Sequence, residues 1–122
     1  MPSVEIVERF IARVEENEHV AAIEEFYTIN ASMQENQSEP RVGRDVLVAN
    51  ERKMLSNVKS IYSECIRPVF IKDNQAVIRW KFKFDLLDGT SMQIEEIAYQ
   101  RWEDEYIAEE HFFYDPAQMI PK

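Results

Sequence analysis

The amino-acid sequence predicts an α+β fold, a cone-shaped α+β barrel with three N-terminal helices packed on a curved antiparallel sheet of about four strands. Apolar residues follow helical spacing in most of the chain up to Leu55, and after Asn57 they alternate as in strands. Helices followed by a long antiparallel sheet are typical of α+β proteins, whose sheets bury one face against the helices. At 122 residues, the chain is expected to form a single domain, residues 1–122.

The helical part contains two segments of apolar periodicity, from Val4 to Val14 and from Val20 to Tyr27, with a break near Asn17. Ser3 is a plausible N-cap for the first helix. The polar stretch "ASMQENQSEPRVGR" is interpreted as a loop because it contains Pro and Gly, and "RDVLVANERKMLSN" predicts a third, shorter helix.

The remaining chain predicts a meander of four antiparallel strands. "VKSIYSECIRPVFI" and "QAVIRWKFKFDLL" are β-rich, and the second alternates so that Ile78, Trp80, Phe82 and Phe84 share one face. "SMQIEEIAYQRW" and "YIAEEHFFY" predict two more strands, and Asp-Asn and Asp-Gly pairs mark turns between the earlier ones.

Composition and charge exclude several classes of function. A formal charge of −9 argues against nucleic acid and anionic membranes as partners, because both require basic patches. No apolar run approaches the ~20 residues of a membrane span, and the N-terminus has no secretory signal pattern. The single cysteine, Cys65, suits a reducing compartment, so we expect a cytoplasmic protein.

The order of elements and three stretches of sequence resemble the nuclear-transport-factor-2-like superfamily, in its SnoaL-like and ketosteroid-isomerase-like branch. The stretches are "EEFYTINASMQEN", "PRVGRDVL" and the terminal "RWEDEYIAEEHFFYDPA". The resemblance implies a cone with an apolar pocket that binds a small molecule, usually in a homodimer. Because this superfamily is functionally broad, it implies a fold more directly than an activity.

The resemblance also suggests a catalytic base. The general base of the isomerase-like branch is an Asp on the loop after the second helix, which corresponds to Glu35 when counted from Tyr27 and to Gln34 when counted back from Gly43. We favour Glu35 because loops absorb deletions more easily than helices. The oxyanion donors of that branch fall at Val14 and Ala98, which cannot donate, so ketosteroid isomerase itself is not expected.

The terminal hairpin decides which side chains face the pocket. A two-residue turn at Asp104-Glu105 would place Ala98 opposite His111, whereas a three-residue loop would place it opposite Glu110. We favour the loop, because it requires a left-handed conformation at only one position. The alternative would return His111 to the pocket.

In the favoured register, Glu96 and Glu110 lie diagonally on the inner face. Two carboxylates this close in an apolar cavity cannot both ionise cheaply, so one is expected to act as a general acid; the alternative is that one or both are solvated at the mouth. The predicted catalytic residues are thus Glu35, Glu110 and Glu96. The predicted pocket residues are aromatic or apolar: Tyr27, Met33, Trp80, Phe82, Phe84, Phe112 and Tyr114.

Neither a metal nor a cofactor is expected. The two histidines, His19 and His111, are far apart and lack metal-ligand spacing, and a chain with two glycines has no Gly-rich phosphate loop. His19 is not predicted to be functional.

The predicted function is binding of a small, largely apolar organic molecule, with carboxylate-based proton transfer of the isomerase, cyclase or hydratase type. The alternative is a non-catalytic ligand-binding or dimerisation module, so the sequence leaves open whether the protein is an enzyme. A homodimer is expected through the outer sheet face, where Ile97, Tyr99 and Phe113 adjoin Arg101 and Glu109.

Overall fold

The computed structural model describes residues 1–122 and confirms the α+β class, with three helices and a curved sheet. The sheet has six strands, not about four. The helices are α1 (Val4–Glu15), α2 (His19–Phe26) and α3 (Arg44–Leu55). The strands are β1 (Tyr27–Glu35), β2 (Arg41–Val42), β3 (Val58–Lys72), β4 (Gln75–Leu86), β5 (Ser91–Glu103) and β6 (Tyr106–Phe113), followed by a short 3-10 helix (Pro116–Met119).

The first two helices begin and break where the sequence predicts. Ser3 caps α1, since its hydroxyl accepts a hydrogen bond from the Ile6 backbone N–H at 3.1 Å. Asn17 adopts a left-handed conformation with φ of 66° and separates α1 from α2.

The sequence analysis missed the two strands within residues 27–42. Tyr27 was expected at a helix end and Met33 and Glu35 in a loop, but all three lie on β1, which pairs in parallel with β6 and antiparallel with β2. The sheet order is β2-β1-β6-β5-β4-β3. The segment is rich in polar residues, and pairing with β6 far along the chain stabilises it as a strand, which local sequence does not reveal.

The strand pairing in the terminal hairpin differs from both predicted registers. Glu103 pairs with Tyr106 across an Asp104-Glu105 turn, but a β-bulge then shifts the pairing, so Ala98 lies opposite Phe112 and not opposite Glu110 or His111. The inserted residue is Ala108, because Trp102 pairs with Ile107 and Arg101 with Glu109. Only Asp104 in this turn has positive φ, at 54°.

The bulge also changes the inner face. Ile107, predicted to face outward, is fully buried, and Tyr106, predicted to face inward, is half exposed. Beyond the bulge the alternation is the predicted one, with Glu110 buried and His111 on the other face.

The helices cover the inner face of the sheet. Phe10 of α1 is central to this packing, with its ring 6.5 Å from that of Trp80 and 6.2 Å from that of Trp102, both edge to face. No helix is both long and apolar enough to span a bilayer.

Candidate active site

A cavity of about 160 Å³ lies between the helices and the sheet. All ten residues predicted for the site line it: Tyr27, Met33, Glu35, Trp80, Phe82, Phe84, Glu96, Glu110, Phe112 and Tyr114. Its walls are largely apolar. A cavity of about 150 Å³ is enough to hold benzene, so this volume suits a one-ring compound.

Glu110 of β6 is the most deeply buried acid, with 3% of its surface exposed. Its Oε1 accepts a hydrogen bond from the Tyr27 phenol, and its Oε2 accepts one from Gln100 Nε2 at 2.6 Å. Burial raises the pKa of Glu110 to about 7, although these two hydrogen bonds act in the opposite direction. The carboxyl group is therefore able to gain or lose a proton near neutral pH.

Gln100 is held in turn by Trp102, whose indole N–H donates to Gln100 Oε1 at 3.0 Å. This bond fixes the orientation of the amide, so that its NH₂ group faces Glu110. Burial, followed by the charge and the hydrogen bond of Glu110, raises the pKa of Tyr27 well above its usual range, so the phenol remains a donor.

Glu96 of β5 also faces the cavity, and its side chain makes neither a hydrogen bond nor an ion pair within the chain. Burial and then the charge of Glu110 raise its pKa to about 8. Glu96 is therefore protonated at neutral pH. The predicted diagonal contact of Glu96 with Glu110 is wrong, because the bulge places Glu110 opposite Gln100, four residues from Glu96 along β5.

Glu35 lies at the end of β1, at the more exposed end of the cavity. Its carboxylate is 3.3 Å from an Arg41 guanidinium nitrogen, and Arg41 also lines the cavity. Burial and the Glu35 carboxylate raise the pKa of the neighbouring Tyr114 to about 12.

The helical wall contains an acid and a histidine that the sequence analysis did not assign to the site. His19 of α2 is 9% exposed and lines the cavity with Glu51 of α3. His19 Nδ1 is 3.5 Å from Glu51 Oε1, and His19 Nε2 is 2.9 Å from Ser63 Oγ. Helical spacing was an available signal, since His19 precedes the buried Ile23 by one turn and Glu51 follows the buried Leu47 by one turn.

Two residues of the terminal segment lie outside this site. His111 Nε2 is 2.6 Å from the Asn36 carbonyl oxygen, and Asp115 caps the 3-10 helix by accepting a hydrogen bond from Ala117 N. No group of three or more His, Cys, Asp or Glu residues is arranged to hold a metal.

Solved structures share this fold over nearly the whole chain. A Mesorhizobium loti protein described as a SnoaL-like polyketide cyclase aligns with a TM-score of 0.78 and 19% identity, covering 93% of this chain and all of that one (100%). An NTF2-like protein of unknown function from Burkholderia pseudomallei gives a TM-score of 0.80 and 11% identity, covering 95% and 92%. TerC, co-crystallised with polyporic acid, gives 0.79 and 10% identity, covering 98% and 95%.

At these identities the comparisons establish the fold alone. No family model and no curated protein matches the sequence. The resemblance to SnoaL-like and NTF2-like proteins is thus confirmed at the level of the fold.

Proposed function

We propose that this protein binds a small, largely apolar organic molecule in the cavity and catalyses proton transfer on it with carboxyl groups. The observation that carries the proposal is Glu110, a buried acid with a pKa of about 7 and no cation within hydrogen-bond distance. A general acid or base works best when its pKa is near the working pH. Such perturbed acids in apolar cavities are frequent in active sites.

The residues take complementary roles in this proposal. Glu96, protonated at neutral pH, is the acid that donates to a developing negative charge on the ligand. Glu110 orients the ligand, and the gain or loss of its proton near neutral pH sets the charge of the cavity. Glu35, at the cavity's exposed end beside Arg41, is the base. The walls formed by Trp80, Phe82 and the other predicted pocket residues hold the apolar body of the ligand.

A one-ring unsaturated ketone is a suitable probe, because its isomerisation needs only proton transfer. We expect the protein to convert cyclohex-3-enone to the conjugated cyclohex-2-enone, which is followed by its ultraviolet absorbance. Glu35→Gln is expected to lower kcat at least ~10²-fold, since it removes the base. Glu39→Gln, an exposed acid in the adjacent loop, is the matched control and should retain the wild-type rate. Full activity in Glu35→Gln would contradict the assignment.

A non-catalytic ligand-binding module is the second candidate. It is favoured by Val14 and Ala98, buried apolar residues at the positions where the isomerase-like branch has its oxyanion donors. Thermal-shift screening against lipids, steroids and aromatic acids distinguishes the two, because tight binding without turnover of any bound compound supports this candidate. The co-crystal of TerC with polyporic acid, a small organic molecule, is consistent with either.

We also propose a homodimer through the outer face of the sheet. Ile97, Tyr99 and Phe113 are exposed there, next to the Arg101–Glu109 ion pair at 3.2 Å. Sedimentation velocity at micromolar concentration is expected to show a dimer, and Ile97→Glu should shift it to monomer by placing a charge in the contact.

The control for this experiment is Val46→Glu, which places the same charge on an exposed apolar residue of α3. It should leave the dimer intact. A wild-type monomer would rule out the proposed association at this concentration.

A further inference from the structure

Glu96 presents a carboxyl group with two open oxygens to the cavity. Its side chain lines the cavity and makes neither a hydrogen bond nor an ion pair within the chain. The only buried side-chain nitrogen or oxygen atom without a partner is Arg41 Nε, so protein atoms do not seal the unpartnered oxygens of Glu96. A polar group that is open to an apolar cavity at both oxygens is placed to bind a ligand there.

The protonated carboxyl group of Glu96 specifies a pattern of hydrogen bonds. Burial, followed by the charge of Glu110, raises the pKa of Glu96 to about 8, so at neutral pH one of its oxygens donates a proton and the other accepts one. A complementary ligand has an acceptor and a donor side by side on one planar edge. Carboxylic acids, lactams and nitrogen heterocycles with an amino group beside the ring nitrogen all have such an edge.

The charges around Glu96 distinguish among these three groups. The charges that act on it are all negative and come from Glu110, Glu35 and Glu51. Arg41, the only Arg or Lys residue that lines the cavity, is already paired with Glu35. A ligand acid, ionised in solution, is repelled by these charges, and a lactam is not attracted by them. A weakly basic ring nitrogen that takes the proton of Glu96 becomes a cation, which they stabilise.

The wall beside Glu96 suits a flat aromatic ring. Trp80 of β4 pairs with Glu96 of β5, so the two side chains are neighbours on the inner face of the sheet. The Trp80 ring stacks on the Phe82 ring, with centroids 5.5 Å apart and planes 19° from parallel. Aromatic faces attract both another aromatic ring and a positive charge. The cavity of about 160 Å³ limits the ligand to about one ring.

We propose that the ligand of this cavity is a one-ring nitrogen heterocycle with an amino group beside its ring nitrogen, held at that edge by Glu96. The Glu96 O–H donates to the ring nitrogen, and the amino group donates to the other Glu96 oxygen. The proton then moves from the oxygen to the ring nitrogen, and two charge-assisted hydrogen bonds join the resulting cation and carboxylate. This inference rests on the ligand-binding part of the proposed function, and Glu96 is the proton donor in both.

2-Aminopyridine is the probe, because it is a weak base with this edge. Isothermal titration calorimetry, at a pH just above the pKa of the free compound, should show saturable binding at one site. In the complex, the nitrogen-15 chemical shift of the labelled ring nitrogen should move to that of the protonated compound, although most of the free compound is neutral at this pH. A ring nitrogen that stays unprotonated in the wild-type complex would overturn the role of Glu96.

Two ligands of the same size separate the parts of this contact. 3-Aminopyridine has its amino group one ring position further from the ring nitrogen, so it loses one hydrogen bond and should bind about tenfold more weakly. 2-Pyridone keeps a donor beside an acceptor but is not basic, and it should also bind about tenfold more weakly. Equal affinity for 3-aminopyridine would overturn the paired contact, and equal affinity for 2-pyridone would overturn the proton transfer.

Glu96→Gln keeps the size of the side chain and a donor beside an acceptor, but it has no proton to give. This variant should bind 2-aminopyridine about tenfold more weakly and leave the ring nitrogen unprotonated. Glu95→Gln, on the exposed outer face of the same strand, is the matched control and should bind as the wild-type protein does. If Glu96→Gln does not fold, the comparison of the three ligands on the wild-type protein still decides the question.

The affinity for 2-aminopyridine should depend on pH in a defined direction. Binding requires the proton of Glu96, whose pKa is about 8, so the affinity should fall about tenfold for each pH unit above that value. Below the pKa of the free compound the affinity should also fall, because the ligand is then already protonated. Glu96→Gln should lose the fall above pH 8, which separates Glu96 from the other titratable groups of the wall: Glu35, Glu51, Glu110, His19, Tyr27 and Tyr114.

The outcomes also separate this inference from the proposed function. Turnover of cyclohex-3-enone without saturable binding of 2-aminopyridine would overturn the ligand class and leave the proposed proton transfer standing. Binding with a protonated ring nitrogen but without turnover would support this inference and favour the non-catalytic module. Neither binding nor turnover by the wild-type protein would overturn both.

Discussion

Raising the pH from 5 to 9 is expected to lower the free energy of unfolding by about 4 kcal/mol through Glu96 and by about 3 kcal/mol through Glu110. Their folded pKa values, about 8 and about 7, exceed the value of 4.5 of a free Glu side chain. The folded state therefore holds protons that the unfolded state releases. This stability is fully present below about pH 4.5 and is lost as the pH rises to about 8.

Glu96→Gln tests this expectation most directly, because Glu96 has no partner that the amide would disturb. Urea unfolding across the pH range should show a smaller fall in stability than in the wild-type protein. Glu95→Gln removes a carboxylate from the exposed outer face of the same strand and should retain the wild-type fall. Equal stability of the wild-type protein at pH 5 and pH 9 would contradict the burial of these acids.

Trp102→Ala is expected to destabilise the protein by about 3 to 5 kcal/mol, the usual loss when a large aromatic side chain is removed from a core. Trp102 is 1% exposed and contacts Phe10, and its indole N–H holds Gln100. Trp102→Phe keeps an aromatic ring but leaves the Gln100 oxygen without its donor, which should cost about 1 to 3 kcal/mol.

Denaturant unfolding monitored by circular dichroism measures the free energy of unfolding of both variants. It does not depend on the fluorescence of Trp102, which both substitutions remove. Tyr106→Ala is the control, since this aromatic residue of the same hairpin is 50% exposed and should change stability by about 0.5 kcal/mol or less. A loss below about 1 kcal/mol in Trp102→Ala would mean that Trp102 is not a core residue.

Periodicity was sufficient to predict most of the fold. The alternation from Ile78 to Phe84 identified the buried face of β4, and Ser3 and Asn17 marked the ends of helices correctly. β1 was missed because its partner β6 lies about eighty residues later, and pairing over that distance leaves no local signal.

Sequence patterns predicted the lining of the cavity more completely than its hydrogen bonds. Alternation and the family resemblance together selected ten residues that line it. The Tyr27–Glu110–Gln100 contacts depend on β1, β5 and β6 meeting, and the His19–Glu51 contact depends on the angle between α2 and α3. Neither geometry follows from spacing within a single segment.

The single-residue bulge at Ala108 has an evolutionary consequence. Trp102 already pairs with Ile107 and Arg101 with Glu109, so loss of Ala108 would make the pairing regular, leave Glu110 opposite Gln100 and keep His111 on the outer face. The aromatic walls contributed by β4 would remain unchanged. The gain or loss of one codon at this bulge is therefore absorbed within the hairpin, which can change its length by one residue without changing the acid that faces the cavity.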